Sequence, residues 1–581
     1  MDAAAAVENI NSFNAAFHVL SALQLTQFLW PPQADIPDGA TFDFIVVGAG
    51  SAGCVIANRL SEIEGISVLL IEAGGDPPVE SVLPGLAVFA KKSASDWNYT
   101  SEVDETGCTL QHLKNKRVEI TRGKMLGGSS SINFMAYTRG NPHDFNILAD
   151  ITKDPSWGWD NVLPYFRKSE RLEDPIVLNS PDRFFHGTHG NMGISKYSDE
   201  DNIDYLVSFA EIGNNIKLDI NTNDTLGYTE AMMTISKGIR QSSAYAFLSD
   251  YKHRPNLHVL KNTLVTKIIF DNNKAIGVQA LQDDTLVNFY VKKEVILSAG
   301  VFNSAQVLML SGIGPEEHLV SKDIKVISKL PVGENLHDHI NVLVVQKMGK
   351  AKKSIPKSPH DNPNVILLGF TTLNESQTFP DYETMSFIFS NRDDGFLMQC
   401  AYFLAYENEI CQEIYEQLEG RQLFHSLVSQ LYPQSRGKVL LRSTDARDPP
   451  LIYPEYYTND ADLEVHVKVL EDFARETNTS FFRSVNSEIL VPNSCGCGTI
   501  PTGKEFWRCY SLCMMVSGYH YGGTCAMGSV VDSALQVFGV QGLRVADASV
   551  IPSPLGANPC ATIVMIAEKL SDILKLEYDL W

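Results

Sequence analysis

Gly48-Ala49-Gly50-Ser51-Ala52-Gly53 is the stretch of this chain whose residue types and spacing point most directly to a chemical task. Its three glycines do different things. Gly48 allows a tight turn, Gly50 lets the backbone approach a pyrophosphate, and Gly53 lets a helix lie close against a strand. Glu72, 19 residues beyond Gly53, can accept hydrogen bonds from ribose hydroxyls. The task implied is dinucleotide binding, and the motif suits FAD and NAD equally.

The neighbouring elements must hold that loop. Residues 42–47 (FDFIVV) are apolar, aromatic and β-branched, the pattern of a buried parallel strand. Helical spacing from Cys54 to Glu62 and a second strand from Ser67 to Ile71 complete a strand–helix–strand unit. Free N–H groups and a partial positive charge at the start of that helix suit phosphates. Further strands are predicted from Leu257 onward (LHVL, VTKIIF, AIGV) and over Glu294–Ala299, followed by a helix from about Asn303 to Leu310. From about 365 to 515 the pattern changes to longer strands and helices with Pro-rich turns, read as a second domain. Lys352–Asn364, rich in Lys, Pro and Ser, reads as a surface loop. The stretch from Leu543 returns to strand and then helix. Within it, Asn558 and Pro559 read as N-cap and first residue of a helix running to about Leu574.

A length of 581 residues fits two joined domains. Asp and Glu number 69 against 47 Lys and Arg, a formal charge of −22 that argues against nucleic acid or an anionic membrane as partner. The ten cysteines show no metal-finger spacing, and no metal site is expected. They read as isolated buried thiols, with one or two disulfides if the protein is exported. Ala15–Leu29 is apolar but interrupted by polar residues, with no Lys or Arg before it. It suits an amphipathic helix or a leader and is too short and polar to span a bilayer. Localisation stays open between secreted and cytoplasmic, and no heptad pattern demands a partner subunit.

Several further segments resemble the glucose-methanol-choline (GMC) oxidoreductase family. They are Arg122-Gly-Lys-Met-Leu-Gly-Gly-Ser-Ser-Ser-Ile-Asn133, Gly300 to Gln306 with Leu310 to Pro315, and Pro331 to His339. His520-Tyr-Gly-Gly-Thr524, Arg544 to Ser549, Gly556 to Pro559 and Met565 to Lys569 complete the set. The matches run from about 42 to 575, and Phe506-Trp507-Arg508-Cys509 is most similar to the insect branch, with its ecdysone oxidases and glucose dehydrogenase-like proteins.

The resemblance implies a mixed α/β fold: a Rossmann-like FAD-binding domain and a substrate domain of sheet and helices. The implied division is 1–40 as leader or helix and 41–345 as mainly FAD-binding, with substrate-domain insertions at about 160–235. Residues 346–515 are then mainly substrate-binding, and 516–581 return to the FAD domain. Gly127, Gly128, Ser129 and Asn133 would lie along flavin and pyrophosphate, Val265 against adenine, and Asp547 near the ribityl chain. The implied cofactor set also takes in Ala73, Arg122, Met135, Ala299, Gly300, Ala548, Asn558 and Pro559, beside Gly48, Gly50, Ser51, Ala52, Gly53 and Glu72. Some relatives tether FAD through a histidine just before the signature asparagine. Ile132 stands there, so the FAD is expected to be non-covalent.

Oxidising an alcohol removes a proton from oxygen and a hydride from carbon. A base must take the proton, and a histidine suits neutral pH. Among 14 histidines, His520 is the candidate base, and Asn558 the candidate donor to the substrate oxygen. The expected activity is FAD-dependent oxidation of a CH–OH group, on an ecdysteroid first and on glucose or another sugar as the alternative. The electron acceptor would be O2 or a quinone. A reading of another class is a lyase, similar to hydroxynitrile lyases, that keeps FAD as structure.

Overall fold

The computed structural model describes residues 2–9, 12–13, 25–104, 109–196, 202–349, 358–361, 366–389 and 395–580. Most of the expected N-terminal helix or leader, Cys108 and most of the Lys352–Asn364 loop lie outside the described residues.

Two seven-stranded sheets organise the chain. In the first, Thr41–Val47 lies between Val68–Ile71 and Thr285–Leu297, parallel to both, and Leu257–Leu260 extends the row beyond Val68–Ile71. Thr41–Val47 is buried from Phe42 onward, as a strand covered on both faces must be. Thr285–Leu297 is long enough to serve two partners on its other edge. Its first half pairs antiparallel with Lys274–Gln282, and its second half pairs parallel with Leu543–Val545. The strands and helices predicted from sequence in this half are all present, with ends shifted by a few residues. The Gly53–Leu60 and Cys560–Glu577 helices pack together over this sheet and are joined by a buried ion pair, with Arg59 Nη2 2.7 Å from Glu568 Oε1.

The second sheet is antiparallel throughout: Glu488–Ile489, Ile340–Lys347, Leu423–Gln430, Tyr382–Phe389, Ile366–Thr371 and Gly227–Glu230, with Met515–Ser517 also on Ile340–Lys347. The Asp460–Phe473 and Lys504–Met514 helices cover one of its faces. The expected domain boundaries at 345/346 and 515/516 both fall inside strands of this sheet. The crossover therefore comes just before Ile340 and the return just after Ser517. The reason is that 340–342 pairs antiparallel with 515–517, and a separate antiparallel bridge joins His337 to Gly522.

The cysteines depart from expectation. Three disulfides, Cys400–Cys411, Cys495–Cys513 and Cys497–Cys509, are all in the half that carries the second sheet. Isolated buried thiols was the wrong reading for these six, because pairing depends on Cα atoms brought within 5.5–5.8 Å by the fold. Among the described residues no helix is long and apolar enough to cross a membrane, and no cluster of ligating side chains could hold a metal.

Candidate active site

Two clefts adjoin, sharing Ser51, Arg122, Ser129 and Ile563. The first, about 1040 Å³, is walled by Gly48, Gly50, Ser51, Ala52, Glu72, Ala73, Arg122, Gly128, Ser129, Val265, Ala299, Gly300, Asp547 and Ala548 from the expected set. The second, about 1090 Å³, takes Asn133, Met135, His520, Asn558 and Pro559 besides the shared residues. Gly53 and Gly127 line neither. Gly53 serves packing: a Cβ there would sit 1.9 Å from the Gly48 carbonyl oxygen. Gly127 turns the chain at φ 86° and donates its amide to the Ala49 carbonyl at 2.6 Å.

The carboxylates of the first cleft already hold its loops. Glu72 accepts from the Ala49 amide at 2.9 Å and the Gly74 amide at 2.8 Å, leaving about one lone pair on each oxygen for a further donor. Burial pushes its carboxyl up to about 7, against the pull of those amides. Asp547 accepts from the Gly300 amide at 2.9 Å, the Ser304 hydroxyl at 2.6 Å and the Ser549 amide at 2.8 Å. Val265 sits on the edge strand Thr263–Asp271, where a bulge interrupts the pairing after it.

Arg122 stands where the clefts meet. One end of its guanidinium donates to the Tyr519 carbonyl at 2.5 Å, and its carbon lies 5.0 Å from the centre of the Tyr521 ring. Its Nε–H is buried with no partner. A glycine-lined cleft leading to an orphaned cationic donor fits an anionic dinucleotide with a ring system at the second cleft.

The second cleft carries the candidate pair, His520 and Asn558. His520 follows the Met515–Ser517 strand, with Tyr519 before it at φ 59°. Its backbone amide donates to Asp338 Oδ1 at 2.7 Å. Asp338 is itself held by the Ser517 hydroxyl at 2.6 Å and the Tyr456 hydroxyl at 2.7 Å. Asn558 was expected to cap the C-terminal helix. Instead that helix spans Cys560–Glu577, no side chain caps it, and Asn558 turns away. Its Oδ1 accepts the Thr138 hydroxyl at 2.8 Å, and its Nδ2 meets His520 Nε2 at 2.9 Å.

The proton positions follow from these partners. His339 Nε2 faces the Leu555 carbonyl at 2.8 Å, so that nitrogen carries a hydrogen. Burial pushes His339 down to about 4, so its ring is neutral and its Nδ1 can only accept. His339 Nδ1 lies 2.9 Å from His520 Nδ1, which must then be the donor. His520 is held well below the usual imidazole range, first by burial and then by its neighbours His339 and Arg122. Its ring is neutral too, and the remaining nitrogen, Nε2, is left with a lone pair. The Asn558 amide, oriented by Thr138, points its N–H at that lone pair.

His339, Asp338 and Thr138 were missed as participants. His339 ends the Pro331–His339 stretch, so its type was in view. Its place opposite His520 depends on the pairing of 340–342 with 515–517 and the bridge from His337 to Gly522. Gly518 allows that approach, since a Cβ there would meet the His339 Cβ at 2.9 Å.

Sequence models described as GMC oxidoreductase match residues 42–341 and 433–567. The chain is 38% identical to ecdysone oxidase of Bombyx mori, covering 97% of this chain and 86% of that protein. It is 33% identical to glucose dehydrogenase [FAD, quinone] of Drosophila melanogaster, covering 92% and 87%. The structure superposes on formate oxidase of Aspergillus oryzae with a TM-score of 0.80 and 25% identity, covering 94% of this chain and 100% of that one.

Proposed function

Since the chain belongs to the GMC oxidoreductase family, whose members are FAD-dependent and act on CH–OH donors, we propose that His520 is its base and Asn558 its donor to the substrate oxygen. Bound FAD supplies the hydride acceptor. The observation that carries the assignment is the 2.9 Å approach of His520 Nε2 and Asn558 Nδ2 in the second cleft.

An alcohol hydroxyl arriving in the cleft would replace the direct contact between the two, giving its proton to Nε2 and accepting the Asn558 N–H. His520 is neutral at physiological pH, so its lone pair is available without prior deprotonation. Loss of the hydroxyl proton makes the carbinol carbon a far better hydride donor. Thr138 and His339 keep the two side chains turned the right way, so only the direct contact between them has to open. Nucleotide contacts are assigned to the first cleft, with Arg122 spanning the junction. The FAD is read as non-covalent, because Ile132 offers only hydrocarbon at the tethering position.

The substrate is read as an ecdysteroid. Ile132, Phe134, Met385, Phe403, Leu404 and Leu427 give the second cleft an apolar wall. A sugar presents hydroxyls on every edge and would leave many of them unpaired there. The three disulfides support folding in an oxidising compartment, and hence secretion.

The test is His520→Ala. The variant should keep its bound FAD and reduce it about 10²–10⁴ times more slowly when mixed anaerobically with ecdysone. A reduction rate equal to that of the wild type would dismiss His520 as the base.

A further inference from the structure

The floor of the second cleft is three adjacent strands of the second sheet: Ile340–Lys347, Leu423–Gln430 and Tyr382–Phe389. Asn341 is in register with Ser429, and Ser429 with Glu383, so three polar side chains stand in one row across the strands. The Ser429 hydroxyl donates to Asn341 Oδ1. The row beyond it, at the next inward-facing position, is apolar, with Met385 opposite Leu427. Glu383 is the anomaly. It is 1% exposed, lines the cleft, and neither of its carboxyl oxygens has a partner among the described residues.

A buried carboxyl with no partner is kept at a cost and needs an explanation. Glu383 has no positive charge beside it that would hold it as an anion; burial alone acts on it and pushes it up to about 8. At neutral pH it is therefore an acid, able to donate through O–H and accept through C=O. A neutral donor–acceptor beside the apolar row of Met385 and Leu427 suits a hydroxyl or a ketone.

We infer that Glu383 is the recognition point for a second oxygen of the substrate, so that the site selects an apolar alcohol bearing a further hydroxyl or keto group away from the reacting carbinol. This rests on the second cleft being the alcohol site. It defines the substrate class by two polar ends, one at His520 and Asn558 and one at Glu383, joined by a hydrocarbon body lying along Met385 and Leu427.

The experiment uses the purified FAD-loaded protein and anaerobic stopped-flow reduction. It compares ecdysone, which carries several hydroxyls, with cholesterol, which has a related ring system and only one. Wild type is compared with Glu383→Gln, Glu383→Leu and the size-matched Glu383→Met. The ratio of kcat/KM for ecdysone over cholesterol should fall about 10- to 100-fold in Glu383→Leu and Glu383→Met. Most of the loss should appear in KM for ecdysone. Glu383→Gln, which still donates and accepts, should keep most of the ratio. An unchanged ratio in both apolar variants, with flavin content intact, overturns the inference while leaving the oxidation chemistry standing. A wild-type flavin bleached by neither alcohol nor by small primary alcohols would sink the alcohol-oxidising reading and this inference with it.

Discussion

The two clefts are built on different principles. The first is made largely of backbone: a glycine loop, the start of a helix, and carboxylates spent on holding loops in place. The second is made of side chains drawn from distant segments, among them Asn133, Asn341, Glu383, Phe403, His520 and Asn558. A backbone site tolerates little change at a few positions, and each failure is total. A side-chain site degrades by degrees, because each contact contributes separately to binding, orientation or proton transfer.

The largest effect is expected where the backbone site has no slack. Gly53→Val would drive a side chain into the Gly48 carbonyl, which lies 1.9 Å from the position of a Cβ. The variant should purify without flavin, read as loss of visible absorbance. If Gly53→Val retains FAD, the first cleft is more pliant than the contrast requires. An intermediate effect is expected from His339→Leu. Without an imidazole Nδ1 to accept its proton, His520 loses the partner that fixes its tautomer. FAD should stay bound while the flavin reduction rate falls about 10- to 100-fold. A loss of flavin together with activity would instead make His339 a structural residue.

The smallest effect concerns stability and pH. Glu383 is raised to about 8 in the folded protein, against about 4.5 when unfolded. Between those values the folded state holds the extra proton, so this residue's contribution to stability falls as pH rises from 4.5 to 8 and levels off above. Glu383→Gln removes that slope. Its Tm relative to wild type should therefore climb by about 2–4 °C between pH 5 and pH 8. A constant difference across that range would show that Glu383 is ionised throughout.

The same contrast explains what could be read from the residues alone. Gly48 to Gly53, the strands on either side and Glu72 are contiguous, and their tasks depend on local conformation, so periodicity and spacing reveal them. His520 and Asn558 were singled out by resemblance, and the fold brings their side chains together. The Asn558 side chain was assigned to the wrong partner, because nothing local reveals that the Thr138 hydroxyl, 420 positions away, claims its oxygen. His339 was visible as a residue type but not as a neighbour of His520. Glu383 carried no signal at all: it stands in an ordinary-looking strand, and only the register of Tyr382–Phe389 against Leu423–Gln430 turns it inward. The disulfides were hidden for the same reason, since spacing along the chain does not give proximity in space.

The late return of the chain to the first sheet has a further consequence. Leu543–Val545 completes that sheet and Asn558 follows it, whereas the glycine loop emerges from the ribosome some 500 residues sooner. A growing polypeptide can thus assemble its glycine loop and neighbouring strands early, but it has no complete site for acting on alcohols until the segment carrying Asn558 has been translated. Translation order thus completes the side-chain cleft last.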